Sequence, residues 1–184
     1  MVFPAHVLTV LIAAPSDTTD ECQAVETSLA GWNAARARRE QVILLPWRYT
    51  SHAVPVLGGS PQGIINRQAV DRADIVIALF DSRLGQATDD ALSGTVEEID
   101  RARAAGKPVH VYFSQENIPR DADLRQLRAL QGFRSTLEKE GLVGEYANPD
   151  DVGYQVRQAI EHDIGGVTIK APSESAVDHA VGAG

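Results

Sequence analysis

The chain has 184 residues, 43% of them hydrophobic and 23% charged, with a formal net charge of −8. That length suits one domain with a proper core, and the acidic balance lacks the basic footprint of a nucleic-acid binder. No stretch reaches the roughly 20 apolar residues of a membrane helix, the N-terminus lacks a secretory pattern, and one cysteine, Cys22, excludes an internal disulfide framework. The expected location is therefore the cytoplasm, with neither membrane nor nucleic acid among the partners.

Residues 6–13 form an unbroken β-branched and apolar run, the pattern of a strand buried on both faces. Pro15-Ser16-Asp17 then opens a helix on which Cys22, Val25, Leu29 and Trp32 recur three and four apart. Arg36, Arg38 and Arg39 close that helix, where cations complement its dipole. Residues 41–49 read as a second strand and residues 50–60, with Pro55, Gly58 and Gly59, as a loop. Ser60-Pro61 marks a helix start, Ser as N-cap and Pro at the first helical position, with the helix ending near Arg72.

Residues 73–80 predict a third buried strand, 81–92 a polar loop, and about 95–105 a helix closed by Gly106. Residues 109–113 follow as a fourth strand. Leu124, Leu127, Leu130 and Leu137 mark a longer helix, residues 142–146 a weaker fifth strand, and Asn148-Pro149 the start of a last helix. Residues 1–164 make the expected domain; the Gly-, Ala- and Ser-rich residues 165–184 read as a poorly ordered tail.

Strands alternating with helices imply an α/β fold: a five-stranded parallel sheet, flavodoxin-like order 2-1-3-4-5, with helices on both faces. Its topological switch point lies between strands one and three, and ligands bind there, outside the carboxyl ends of the strands. Residues 13–20 and 81–93 become opposite walls of one crevice.

Glu98 stands near the start of the helix leaving the second wall and admits two readings. Thr95 and Glu98 have the spacing of a capping box. Alternatively, a carboxylate held ionised by the helix dipole can stabilise or attack a developing sugar cation. Ser93 and Gly94 would then let a ribose or phosphate approach the backbone, while Glu97 is expected to be a solvated surface charge. Asp81 is either a crevice residue or a turn former. Ser16 and Asp17 either contact a ligand or cap the first helix. His6, His52, His110, His162 and His179 have no metal-ligand spacing, so no metal is expected. A Gly-rich phosphate loop and a serine nucleophile elbow are both missing.

The run Ala73-Asp74-Ile75-Val76-Ile77-Ala78-Leu79-Phe80-Asp81, then Ser93-Gly94-Thr95 with Glu98, then Gly106-Lys107-Pro108-Val109, resembles the nucleoside 2-deoxyribosyltransferase family. The same framework is similar to the TIR-like superfamily, which includes enzymes that cleave the nicotinamide–ribose bond of NAD. A bacterial group of uncharacterised TIR-like domains resembles it more closely. That group shares Pro15-Ser16-Asp17, Trp47, Pro61-Gln62 with Ile65-Asn66, Arg83-Leu84-Gly85, and the segments 93–98 and 106–108.

The resemblance implies Glu98 as catalytic carboxylate and Asp81 as a pocket residue. Ser16, Ser93, Gly94 and Thr95 would shape a ribose site, and Arg83 and Asn66 would reach phosphate or ribose. It implies an N-glycosidase acting on NAD or a related nucleotide, in bacterial defence or stress signalling, with NAD as substrate and no cofactor. Two alternatives stay open: a non-catalytic module that binds a nucleotide signal or assembles with itself, a fusion domain or another protein; and a deoxyribosyltransferase. The transferase pattern has Asp immediately before Ser-Gly-Thr; this chain has Leu92.

Overall fold

A computed structural model describes residues 2–55, 57, 61–88 and 91–166. Ser60, the expected N-cap, and residues 167–184 of the tail lie outside them. Among the described residues the elements run β1 (His6–Ala13), α1 (Thr19–Glu40), β2 (Val42–Trp47), α2 (Tyr49–His52), α3 (Pro61–Gln68) and β3 (Ile75–Phe80). They continue with α4 (Gly94–Ala104), β4 (Val109–Ser114), α5 (Leu124–Glu140), β5 (Gly144–Tyr146) and α6 (Pro149–Gly166).

The five strands form one sheet, order β2-β1-β3-β4-β5, and every pairing is parallel. Alternation along β3 divides the core in two. Ile75, Ile77 and Leu79 pack with Val25, Leu29 and Trp32 of α1 and Val152, Val156 and Ile160 of α6. Val76, Ala78 and Phe80 pack against Val96 and Ile99 of α4 and Leu130, Phe133 and Leu137 of α5. Every residue of β3 is buried, as expected of a central strand covered on both faces.

Strand β1 is buried only from Val10 to Ala13; Val7 is 56% exposed. Its first half pairs with the edge strand β2, so the expectation of full burial fails there. The expected loop after the second strand begins instead with the short helix α2. The edge of β2 is closed by Asn33, which donates to the carbonyl of Leu44 and accepts from its amide, both at 2.8 Å. An exposed strand edge is a template for unwanted pairing, and an amide side chain fills it here.

Gly106 follows α4 with φ +69°, the left-handed conformation that glycine tolerates at a helix end. The Lys107 ammonium then donates to the carbonyls of Val70 and Asp71 at 2.6 and 3.0 Å. The Gly-Lys-Pro segment thereby locks the turn before β3 to the turn before β4. Its role is structural.

Candidate functional site

Beyond the carboxyl ends of β1, β2 and β3 lies a cavity of about 640 Å³. Its walls come from Ala13 to Ser16 after β1, Trp47 at the end of β2, Tyr49 and Thr50 of α2, Gln62 and Ile65 of α3, Arg83 and Gly85 to Thr88 after β3, and the start of α4. This is the switch point of a 2-1-3-4-5 sheet, where two neighbouring connections leave on opposite faces. Asp17 ties the walls together: its Oδ2 accepts from the amide and the hydroxyl of Ser82, both at 3.0 Å. The loop after β3 is fixed further by Gln126 of α5, whose Oε1 accepts from the amides of Leu84 and Gly85 at 3.1 and 3.0 Å.

Of the residues singled out in the sequence, Ser16, Arg83, Gly94, Thr95 and Glu98 line the cavity. Asp81, Ser93 and Asn66 are not among its lining. Asp81 follows the face of β3 that turns to α1, and its charge acts on Glu21 there. Ser93 is fully buried and its hydroxyl accepts from the amide of Val96 at 3.2 Å, making it the N-cap of α4. A buried cap hydroxyl is committed to the helix rather than to a ribose. Asn66 is 1% exposed and lies behind the wall.

Three expectations about this helix change. Ser93 as N-cap leaves Thr95 inside the helix, so there is no Thr95–Glu98 capping box. Glu97 is not a solvated charge: it lines the cavity and accepts from Asn66 Nδ2 at 2.6 Å and Thr88 Oγ1 at 2.7 Å. Glu98 lies past the first turn, whose free amides create the positive end of the dipole. It is 8% exposed. Burial first, with the neighbouring Glu97 charge as a lesser cause, pushes its carboxyl up to about 7, against a smaller lowering by the Gln62 amide. Glu98 is thus poised between acid and base near neutral pH rather than held ionised.

The first connection departs too. Thr18, not Ser16 or Asp17, occupies the N-cap position of α1, without a side-chain cap hydrogen bond. Asp17 serves the Ser82 contact instead, and Ser16 is exposed at the cavity.

Trp47, Tyr49, Gln62, Gln86 and Thr88 belong to the wall, although the residue reading gave none of them a part. For Trp47 and Gln62 the signal was present as shared motif positions; Tyr49 reads as the end of the second strand in the sequence, whereas it opens α2. No group of three or more His, Cys, Asp or Glu among the described residues could hold a metal ion. The cavity therefore combines aromatic faces, one arginine, backbone at a helix start and a carboxyl pair. Such a set can stack a base, meet a phosphate and confront a sugar carbon with a carboxylate.

The fold and this cleft define an α/β domain with its site at the switch point of a parallel sheet. More particularly, the chain belongs to the family described as domain of unknown function DUF4062, whose model matches residues 32–161. No curated protein matches it in sequence. Among solved structures it is similar to translation elongation factor SelB from Methanococcus maripaludis in its apo form. That match has 14% identity and a TM-score of 0.48, over 94% of this chain and 38% of that one. It is also similar to homoserine dehydrogenase from S. aureus, at 12% identity and TM-score 0.39, over 77% of this chain and 33% of that one. Flavodoxin 1 from Bacillus cereus matches at 15% identity and TM-score 0.39, over 85% and 98% of the two chains. The chain thus spans between a third and two fifths of SelB and of the dehydrogenase. No helix among the described residues is long and apolar enough to cross a membrane.

Proposed function

We propose that the protein is a TIR-like N-glycosidase that cleaves the bond between ribose and base in NAD or a related nucleotide, with Glu98 as the catalytic carboxylate. The observation that carries this reading is a buried carboxyl group facing a 640 Å³ cavity at the switch point. In the reaction the C1′–N bond breaks and its electron pair leaves with the base. A nicotinamide leaves neutral from a cationic substrate, so it needs no general acid. The Glu98 carboxylate faces the developing ribosyl cation, water adds to C1′, and its proton passes to solvent.

The raised affinity of Glu98 for its proton is compatible with that role. A cationic ring brought beside it favours the ionised form, so the correct substrate readies the carboxylate. Trp47 and Tyr49 supply faces for a base, and Arg83 a cation for a phosphate. Leu92, where the transferase pattern has Asp, is 62% exposed, which speaks against deoxyribosyl transfer. A role in bacterial defence or stress signalling, and a location in the cytoplasm, belong to the same proposal.

The test is incubation of the purified protein with NAD and with deoxynucleosides, followed by detection of free base. Release of nicotinamide that disappears in Glu98→Gln supports the glycosidase. Tight binding of a nucleotide without base release, in every oligomeric state tried, supports a binding module instead.

A further inference from the structure

Along the cavity wall runs a chain of side chains that links Thr88 and Glu97 through Asn66 and Gln62 to Glu98. Thr88 Oγ1 and Asn66 Nδ2 donate to the two oxygens of Glu97, at 2.7 and 2.6 Å. Asn66 Oδ1 accepts from Gln62 Nε2 at 3.2 Å. The same Gln62 nitrogen faces Glu98 Oε1 at 3.4 Å and the carbonyl of Gly94 at 3.5 Å.

The polarity of this chain follows from chemistry. An ionised carboxylate only accepts, so the Asn66 amide turns its nitrogen to Glu97 and its oxygen to Gln62. That oxygen also only accepts, and so does the Gly94 carbonyl. Gln62 must therefore turn its nitrogen toward them, and its two N–H groups meet three acceptors: Asn66 Oδ1 at 3.2 Å and, sharing at longer range, the Gly94 carbonyl and Glu98 Oε1 at 3.5 and 3.4 Å. A Gln free to turn would present its oxygen equally well, and to that oxygen Glu98 could only donate, which requires its proton.

Gly94 makes room for this arrangement. A Cβ built there falls 2.5 Å from Gln62 Oε1 and 3.2 Å from its amide carbon, so any side chain at position 94 displaces the Gln62 amide. The backbone at Gly94 does not have positive φ, and the position needs glycine for this approach rather than for its own conformation.

We propose that Gln62 is the positioning residue for Glu98, and that Glu97, acting through Asn66, fixes the Gln62 amide with its N–H toward the Glu98 carboxylate. As a step in catalysis this rests on the glycosidase reading; as a statement about Glu98 it does not. The charged and titratable groups that line the cavity together with Glu98 are Glu97 on its own helix, Arg83 from the loop after β3 and Tyr49 from α2, and of these Glu97 acts on its charge. From β1's connection and from α3 come the uncharged Ser16 and Gln62. The N–H from Gln62 opposes burial and Glu97 in setting the protonation of Glu98.

The test is a direct titration of the Glu98 carboxyl by infrared difference spectroscopy with isotope-labelled glutamate, using Glu98→Gln to assign the band. It is run on the wild type and on Gly94→Ala, Gln62→Leu and Asn66→Leu. Gly94→Ala should fold well, because alanine suits a helix better than glycine. In all three the Glu98 midpoint should move upward by on the order of one pH unit, the worth of one hydrogen bond to a charged group. In an active preparation the pH profile of base release should move with it.

An unmoved midpoint in Gly94→Ala and Gln62→Leu overturns the proposal. A shift in Gln62→Leu with none in a folded Asn66→Leu overturns the part assigned to Glu97 and Asn66. Should Asn66→Leu fail to fold, Gly94→Ala and Gln62→Leu still decide the role of Gln62. For the role of Glu97, Thr88→Val, which removes the other Glu97 donor, should leave the midpoint nearer to wild type than Gln62→Leu does; an equal shift overturns it. Shifted midpoints without base release from any nucleotide would leave the positioning of Glu98 intact and remove the glycosidase.

Discussion

Asp17 accepts two hydrogen bonds from Ser82 through one oxygen, across 65 residues of sequence, while its second oxygen is buried with no partner among the described residues. The contact joins the connections that leave β1 and β3, and therefore sets the width of the cleft. Asp17→Ala strands the Ser82 amide and hydroxyl, and should cost about 1–3 kcal/mol. Asp17→Asn keeps an acceptor for Ser82 and should lose much less. Urea melts of the two variants check the difference, and equal losses would mean that Ser82 finds water instead.

Gly144 answers a different constraint. A Cβ there would sit 2.3 Å from the ring of Tyr112, which is buried in the core between β4 and β5. Either the ring or the strand must shift to admit it, so Gly144→Ala should destabilise by about 1–3 kcal/mol through overpacking. Gly132→Ala is the control: it lies within α5, nothing comes within 4 Å of a built Cβ, and it should stabilise by up to about 1 kcal/mol. Thermal melts of the two variants should shift in opposite directions.

How far the sequence carried this structure depends on what each residue answers to. The sheet order followed from unbroken apolar runs separated by helical periodicity, because such strands must be covered on both faces. Register and strand ends were less legible: β3 begins at Ile75, and the Asp74 before it meets Thr9 of β1 twice, its carboxylate accepting from the Thr9 amide at 2.7 Å and its own amide donating to the Thr9 carbonyl at 2.8 Å. In the cleft, Glu98 was readable as a motif residue at the right strand end. Its protonation was not, because burial is a property of the folded environment that helical spacing does not reveal, and Gln62, 36 residues away in sequence, opposes it with a hydrogen bond. Glu97 failed for the same reason: helical spacing placed it off the Glu98 face, but Asn66 and Thr88 bring donors to it from two other segments. Asp81 was assigned by its place after β3, and the alternation of that strand sends it to the α1 side.

The pH dependence of base release distinguishes two uses of Glu98. If its carboxylate faces the ribosyl cation, kcat/KM should be low below neutrality and rise through about pH 7 to a plateau, following the free enzyme's carboxyl. A rate that falls through the same range would make Glu98 a general acid that protonates the leaving base. Measuring with NAD, whose nicotinamide needs no proton to leave, and with a neutral nucleoside, whose base does, separates the two.

Glu98→Gln should lower catalysis and raise stability, and the second effect has a sign fixed by linkage. In the folded protein the carboxyl titrates near 7, whereas its ordinary value is 4.5. Between those two values the folded state holds a proton that the unfolded chain has released. Stability from this group is fully present below about pH 4.5 and is lost as pH rises to about 7. A difference of that size corresponds to on the order of 3 kcal/mol at pH 8. Glutamine titrates nowhere in the range, so subtracting its stability curve from the wild type's isolates Glu98 from other buried carboxyls such as Glu21. The variant should match the wild type near pH 4.5 and exceed it progressively toward pH 8. At pH 8, where the wild-type carboxyl is ionised, its base release should stay at least a hundredfold below wild type, because a neutral amide cannot stabilise the cation. Parallel curves from pH 4.5 to 8 would mean that Glu98 is solvated in the folded protein, and would remove the dry carboxylate on which the proposed chemistry depends.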